Sequence, residues 1–167
     1  LSGFTPIDNQ CIPCSIGFHK TSFSNDTCLP CHDDASTNMT TSISQEACLC
    51  NAGYTPDISD TLCVGCEPGT FKSVLSDKSC TVCPTNTYCS GSNVVPENCV
   101  ENSVSAVGSQ RVSDCICNPG YFLNYTQDNY VCLPCAPGTF NFLTGQTACF
   151  DCPQNTYNPF STQLQCD

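Results

Sequence analysis

Tryptophan is absent from this 167-residue chain, methionine occurs once, histidine twice, and lysine and arginine together only four times. Lys20, Lys72, Lys78 and Arg111 lie scattered among 15 acidic residues, leaving a formal charge of -11. Binding to nucleic acid draws much of its strength from clustered cations that neutralise phosphates, so nucleic acid is excluded as a partner. No apolar run approaches the roughly 20 residues that a membrane-crossing helix needs, so no membrane span is expected. His19 and His32 are the only histidines, and there is neither a nucleophile elbow nor a glycine-rich phosphate loop. That leaves little from which to assemble acid–base or nucleophilic chemistry, and we expect no enzyme, no catalytic residue and no cofactor. His32-Asp33-Asp34 reads as an exposed polar turn, and no metal ligand is assigned. Starting at Leu1 with neither Met nor a signal-like segment, the sequence reads as a mature chain or a fragment.

Cysteine is what the chain has in excess. The 19 cysteines among 167 residues exceed the roughly 8–10% that marks a disulfide scaffold. They also make up much of the 40% hydrophobic content, leaving too little other apolar mass for a conventional core at this length. Eighteen serines, 18 threonines, 12 prolines and 10 glycines make the remainder polar and turn-forming. Covalent staples are therefore expected to replace apolar burial, in an oxidising, extracellular setting.

The cysteines also act as a ruler. Units opened at Cys14, Cys31, Cys50, Cys66, Cys83, Cys99, Cys117, Cys135 and Cys152 are spaced by 17, 19, 16, 17, 16, 18, 18 and 17 residues. Most units close at a second cysteine just before the next opens: Cys28, Cys48, Cys63, Cys80, Cys115, Cys132, Cys149 and Cys166. The residue three after each opening cysteine is Gly17, Asp34, Gly53, Gly69, Asn86, Asn102, Gly120, Gly138 or Asn155. Only Gly, Asn and Asp visit the left-handed region routinely, so this position predicts an obligatory turn of positive φ. One or two residues further on stands an aromatic in most units (Phe18, Tyr54, Phe71, Tyr88, Tyr121 with Phe122, Phe140, Tyr157), read as a plate over a disulfide. Gly3, Phe4 and Cys11 continue the series at the N-terminus, placing a missing opening cysteine one residue before Leu1. The fold class that follows is small and disulfide-rich, mostly irregular with short β-hairpins. It is an elongated solenoid of about ten single-disulfide units of about 17 residues, with almost no helix.

The strings CEPGTFKSVLSDKSCTVCPTNTYC (Cys66 to Cys89), CAPGTFNFLTGQTACFDCPQNTY (Cys135 to Tyr157) and CNAGY or CNPGY (at Cys50 and Cys117) resemble ephrin-receptor-like cysteine-rich repeats. Those are similar in style to tumour-necrosis-factor-receptor modules and EGF-like halves. The resemblance covers nearly the whole chain and implies an extracellular, repeat-built architecture without implying a ligand. Two units depart from the pattern: the Cys31 unit lacks an aromatic, and the Cys83 unit carries Cys89 in place of a closing cysteine near position 96. Three divisions are expected: repeat 1 over 1–50, repeat 2 over 51–117 with the extra Cys89 and Cys99, and repeat 3 over 118–167.

Pairing within units joins Cys14 to Cys28, Cys31 to Cys48, Cys50 to Cys63, Cys66 to Cys80, Cys117 to Cys132, Cys135 to Cys149 and Cys152 to Cys166. In the irregular middle, Cys83 would join Cys89, and Cys99 would join Cys115. Cys11 is left unpaired or intermolecular. The alternative, first with third and second with fourth in each C-x2-C-x13-C-x2-C block, stays open, because connectivity does not follow from spacing. Zinc ligation by the C-x2-C pairs and a thioredoxin-like redox role are set aside, since the pairs recur at every junction and no basic neighbour or helix is at hand to activate a thiol.

Asn25-Asp26-Thr27, Asn38-Met39-Thr40 and Asn124-Tyr125-Thr126 are sequons in loops, so N-linked glycans are expected on Asn25, Asn38 and Asn124. The function read from all this is an extracellular structural protein, a glycosylated rod-like segment or protomer of a filament, coat or appendage. Its partner would be itself, head to tail, or further repeats of a longer chain. The competing reading is a receptor-like cysteine-rich ectodomain that binds a protein ligand.

Overall fold

A left-handed turn sets the geometry of each unit. In the computed structural model, which describes residues 1–8, 10–59, 62–126 and 129–167, Gly3, Gly17, Asp34, Gly53, Gly69, Asn86, Asn102, Gly120, Gly138 and Asn155 all have φ between 59° and 86°. The turn sends the chain back on itself, and its carbonyl then accepts the N–H at the next opening cysteine. Cys14 bonds Gly3, Cys31 bonds Gly17, Cys66 bonds Gly53 and Cys135 bonds Gly120, at 2.8–2.9 Å. The residues just past each turn thereby pair with those at or just before the next opening cysteine: Phe18 faces Pro30, Tyr54 faces Gly65 and Ser103 faces Cys117. The longest such hairpin joins Tyr121–Thr126 to Asn129–Pro134. Among the described residues, short strands pair only two at a time, into nine separate two-stranded sheets. Helix is confined there to two 3₁₀ turns, Gln45–Ala47 and Val112–Asp114, each standing just before a Cys-x-Cys junction.

The core consists of sulfur. Among the described residues, the buried hydrophobic side chains are ten cysteines and nothing else. The aromatics do not act as closed plates: most are half-buried, while Phe18 is 40% and Tyr157 66% exposed. A two-stranded hairpin has no second layer to seal an aromatic against, which is the physical reason. In the Cys14 unit His19 and Lys20 are buried, and Phe18 beside them is not.

Two compact units are present, Leu1–Thr81 with Gly91–Val95 and Val82–Ser90 with Pro96–Asp167. In the first, Gly3 N–H donates to the Lys20 carbonyl and Gly53 N–H to the Lys72 carbonyl, each one repeat further along. A second rung runs from a loop N–H to the preceding opening cysteine: Thr41 to Cys14, Ser76 to Cys50 and Ser92 to Cys66. In the second unit the same rungs join Asn86 to Ser105, Gly120 to Asn141 and Gly138 to Asn158, with Gly108, Gly145 and Thr162 donating to Cys83, Cys117 and Cys135. Backbone bonding from repeat to repeat is thus the same in both, which makes the chain a small disulfide-rich repeat array.

Candidate interaction and modification sites

The position six after most opening cysteines carries a feature that spacing alone did not reveal; Pro56 and Leu123 hold that position in the Cys50 and Cys117 units. Lys20, Thr37, Lys72, Ser105, Asn141 and Asn158 all stand there, and all are buried although polar. Each satisfies itself on backbone. Lys20 Nζ donates to the Phe4 carbonyl at 3.0 Å, Ser105 Oγ to Thr87 at 2.8 Å, Asn141 Nδ2 to Tyr121 at 2.6 Å and Asn158 Nδ2 to Thr139 at 2.7 Å. In these four the acceptor is the carbonyl just after the turn of the preceding repeat; Thr37 Oγ1 instead accepts the Gly17 N–H and donates to Met39, and Lys72 Nζ donates to Cys50 and Ser76. Buried donors of this kind cost free energy when unmet and stabilise when matched, so the position fastens one repeat to the one before it. In the Cys83 unit the same position is Cys89, fully buried and bonded to Cys83 itself. The extra cysteine therefore stands at this fastening position, six residues past the opening cysteine, rather than in the place of a closing cysteine.

The cysteines pair sequentially. Cys14–Cys28, Cys31–Cys48, Cys50–Cys63 and Cys66–Cys80 lie in the first unit. Cys83–Cys89, Cys99–Cys115, Cys117–Cys132, Cys135–Cys149 and Cys152–Cys166 lie in the second. Cα–Cα separations of 5.5–6.2 Å suit bridging without backbone distortion. Cys11 is an exposed free thiol in the hairpin of Phe4–Ile7 with Gln10–Pro13, opposite Pro6.

Asn25, Asn38 and Asn124 are exposed, and so are the hydroxyl residues Thr27, Thr40 and Thr126 that complete their sequons. His32 Nδ1 lies 3.0 Å from the carbonyl of Asp33. Charge is locally tuned at a few places. Burial pushes the Lys72 ammonium below its ordinary pKa, with Asp77 pulling back in part; its Nζ donates to the carbonyls of Cys50 and Ser76. Asp114 is held low mainly by the Gln110 N–H, with Arg111 helping. Tyr88 is raised by burial and by its bond to Glu97, and Tyr130 by burial and the charge of Asp114.

Apolar surface collects in two places. In the first unit a 420 Å³ pocket is lined by Asn38, Met39, Ile43, Ala47 and Leu49. In the second, Phe140, Phe142 and Phe150 form a triangle with ring centroids 5.8–6.3 Å apart, and Phe142 and Phe150 face solvent.

These features define a class: a cysteine-rich repeat array whose units are stapled internally and joined by backbone rungs. Residues 5–48 match the family described as tyrosine-protein kinase ephrin type A/B receptor-like. Cysteine repeat modular protein B of Toxoplasma gondii is 32% identical over 149 residues, 83% of this chain and 2% of its own length. Ephrin type-B receptor 3 of Gallus gallus is 38% identical over 76 residues, 46% of this chain and 6% of its own. Signal peptide, CUB and EGF-like domain-containing protein 2 of Homo sapiens is 32% identical over 106 residues, covering 62% and 9%. The chain thus spans less than a tenth of the length of these relatives, and what it carries is an ephrin-receptor-like cysteine-rich repeat. Among the described residues no helix is long and apolar enough to cross a membrane.

Proposed function

We propose that this chain is a glycosylated extracellular structural segment, a run of repeats serving in a filament, coat or appendage and meeting further repeats or copies of itself head to tail, without enzymatic activity. The observation that carries this reading is the rung pattern. The turn recurs in every repeat, and the buried polar position and the two backbone bonds recur through both units, as befits a unit built to stack on more of its own kind. The division into repeats over 1–50, 51–117 and 118–167 is part of the proposal. It is supported by three glycines, Gly3, Gly53 and Gly120, where an added Cβ would meet a carbonyl two repeats on, that of Thr41, Ser92 or Thr162, at 2.4–2.5 Å.

Non-reducing sedimentation of native material tests the assembly. Polymers or longer tandem chains are expected, with contacts near Leu1 to Cys11 and Cys152 to Asp167. A monodisperse 17.9 kDa species with an alkylatable Cys11 would reject it. Glycopeptide mass spectrometry tests the modification: occupied Asn25, Asn38 and Asn124 are expected, and three bare asparagines would argue against passage through a glycosylating pathway. The receptor-like reading draws its support from the exposed Phe140, Phe142 and Phe150 triangle and from the receptor relatives; a monomer that captures a protein ligand through that triangle would favour it.

A further inference from the structure

His19 breaks the pattern of its own repeat position. Five residues after the opening cysteine, the other units carry Ser36, Thr55, Phe71, Tyr88, Val104, Phe122, Phe140 and Tyr157; only this one carries an imidazole. It is 6% exposed, and its Nδ1 lies 3.6 Å from Cys48 Sγ. Cys31 completes a cluster in which all three ligand atoms fall within 4.8 Å of one another. In a tetrahedral zinc site, bonds of about 2.3 Å to sulfur and about 2.05 Å to nitrogen set an N···S separation of about 3.6 Å. His19 and Cys48 already stand at that distance, and the two sulfurs, once their bond is cut, would have to part to about 3.8 Å.

We propose that His19, Cys31 and Cys48 form a redox-gated metal site, closed while the disulfide is intact and binding a divalent zinc-like cation once it is reduced. A soluble dithiol supplies the two electrons. They enter the Cys31–Cys48 bond and break it, and the dithiol departs as its own cyclic disulfide. The two thiols then release their protons to solvent as they take the metal, and neutral His19 supplies the third ligand. Access comes from a groove of about 650 Å³, lined by Cys48 with His32, Glu46 and Asp77. Of the three ligands Cys48 lines it, so a reductant and a cation would reach the bond from that side, along a wall that also carries the Glu46 and Asp77 carboxylates. The cysteines stay near each other after cleavage, because Ala35–Ser36 remains paired with Leu49–Cys50 and the flanking Cys14–Cys28 and Cys50–Cys63 bonds are intact.

The full chain, with Cys11 blocked by alkylation beforehand, is treated with one equivalent of dithiothreitol in the presence or absence of cobalt(II), the spectroscopic stand-in for zinc. Mass-spectrometric mapping should find Cys31 and Cys48 opened first, and both protected once the metal is added. A thiolate-to-cobalt charge-transfer band with tetrahedral ligand-field bands should appear at one metal per chain. His19→Gln should weaken metal binding at least tenfold, with amide exchange at Gly53 and Cys66, in the same compact unit, confirming that the variant is folded. Opening of another disulfide first, equal binding by His19→Gln, loss of fold when only this bond is cut, or no cobalt band in the chain so reduced would each overturn the proposal.

Discussion

Replacing Asn141 by alanine tests whether a buried polar residue fastens adjacent repeats. Its side chain is fully buried and makes two bonds, from Nδ2 to the Tyr121 carbonyl at 2.6 Å and from the Leu143 N–H to Oδ1 at 3.0 Å. Truncation removes both bonds at once. At about 1 kcal/mol net for an intramolecular hydrogen bond, the pair amounts to about 2 kcal/mol. Since about 1.4 kcal/mol is tenfold in an equilibrium constant, opening of this joint should become about thirtyfold more frequent. Native-state amide exchange reads it directly at the Leu143 N–H and at the Gly120 N–H, which donates to the Asn141 carbonyl at 2.7 Å. Asn141→Asp should be worse at neutral pH, because it turns a carboxylate toward the Tyr121 carbonyl, and should recover in acid as that carboxyl regains a proton. Acceleration of less than threefold at both amides in Asn141→Ala would refute the reasoning.

Two glycines separate backbone conformation from crowding: Gly138 has φ +83 and nothing near its missing Cβ, whereas a Cβ on Gly120 would meet the Thr162 carbonyl at 2.5 Å. Gly138→Ala should cost about 1–2 kcal/mol and Gly120→Ala at least about 1 kcal/mol more, compared by denaturant midpoint. Asp114, whose pKa lies below its ordinary 3.8, contributes stability that is complete above that value and disappears as pH falls through the native pKa. Protection of the Gln110 and Arg111 amides should accordingly be lost as the pH falls below 3.8 and through the lowered native pKa, and Asp114→Asn should remove that dependence. Lys72 works in the opposite range: its native pKa lies below 10.5, so the unfolded chain binds more protons between the two values and stability rises with pH there. Lys72→Met should flatten that rise and also lower the midpoint by removing the ammonium from the Cys50 and Ser76 carbonyls, of which Cys50 keeps the Ser76 N–H.

What could be read from the sequence was whatever depends on a single residue type. Gly, Asn or Asp at a fixed distance from each cysteine announces a left-handed turn, because backbone sterics leave few other residues able to adopt it. All ten such positions adopt it. The fastening position could not be read the same way. Lys20, Thr37, Ser105 and Asn141 share no chemistry beyond a hydrogen-bond donor, and pattern reasoning puts Lys and Asn outside. They go inside because a chain folded around sulfur leaves backbone carbonyls facing inward, and those need donors. The aromatics misled for the complementary reason: Phe18 and Tyr157 look like core residues, but no second layer exists to cover them.

A core made of cysteine has a thermal consequence. Heat capacity rises on unfolding in proportion to the apolar surface newly exposed to water, while exposed polar surface lowers it. Here most large hydrophobic side chains already meet solvent in the folded chain, and the cross-links keep the denatured chain from spreading fully. The curve of stability against temperature should therefore be shallower than for an ordinary domain of this length, with its cold and hot limits pushed far apart.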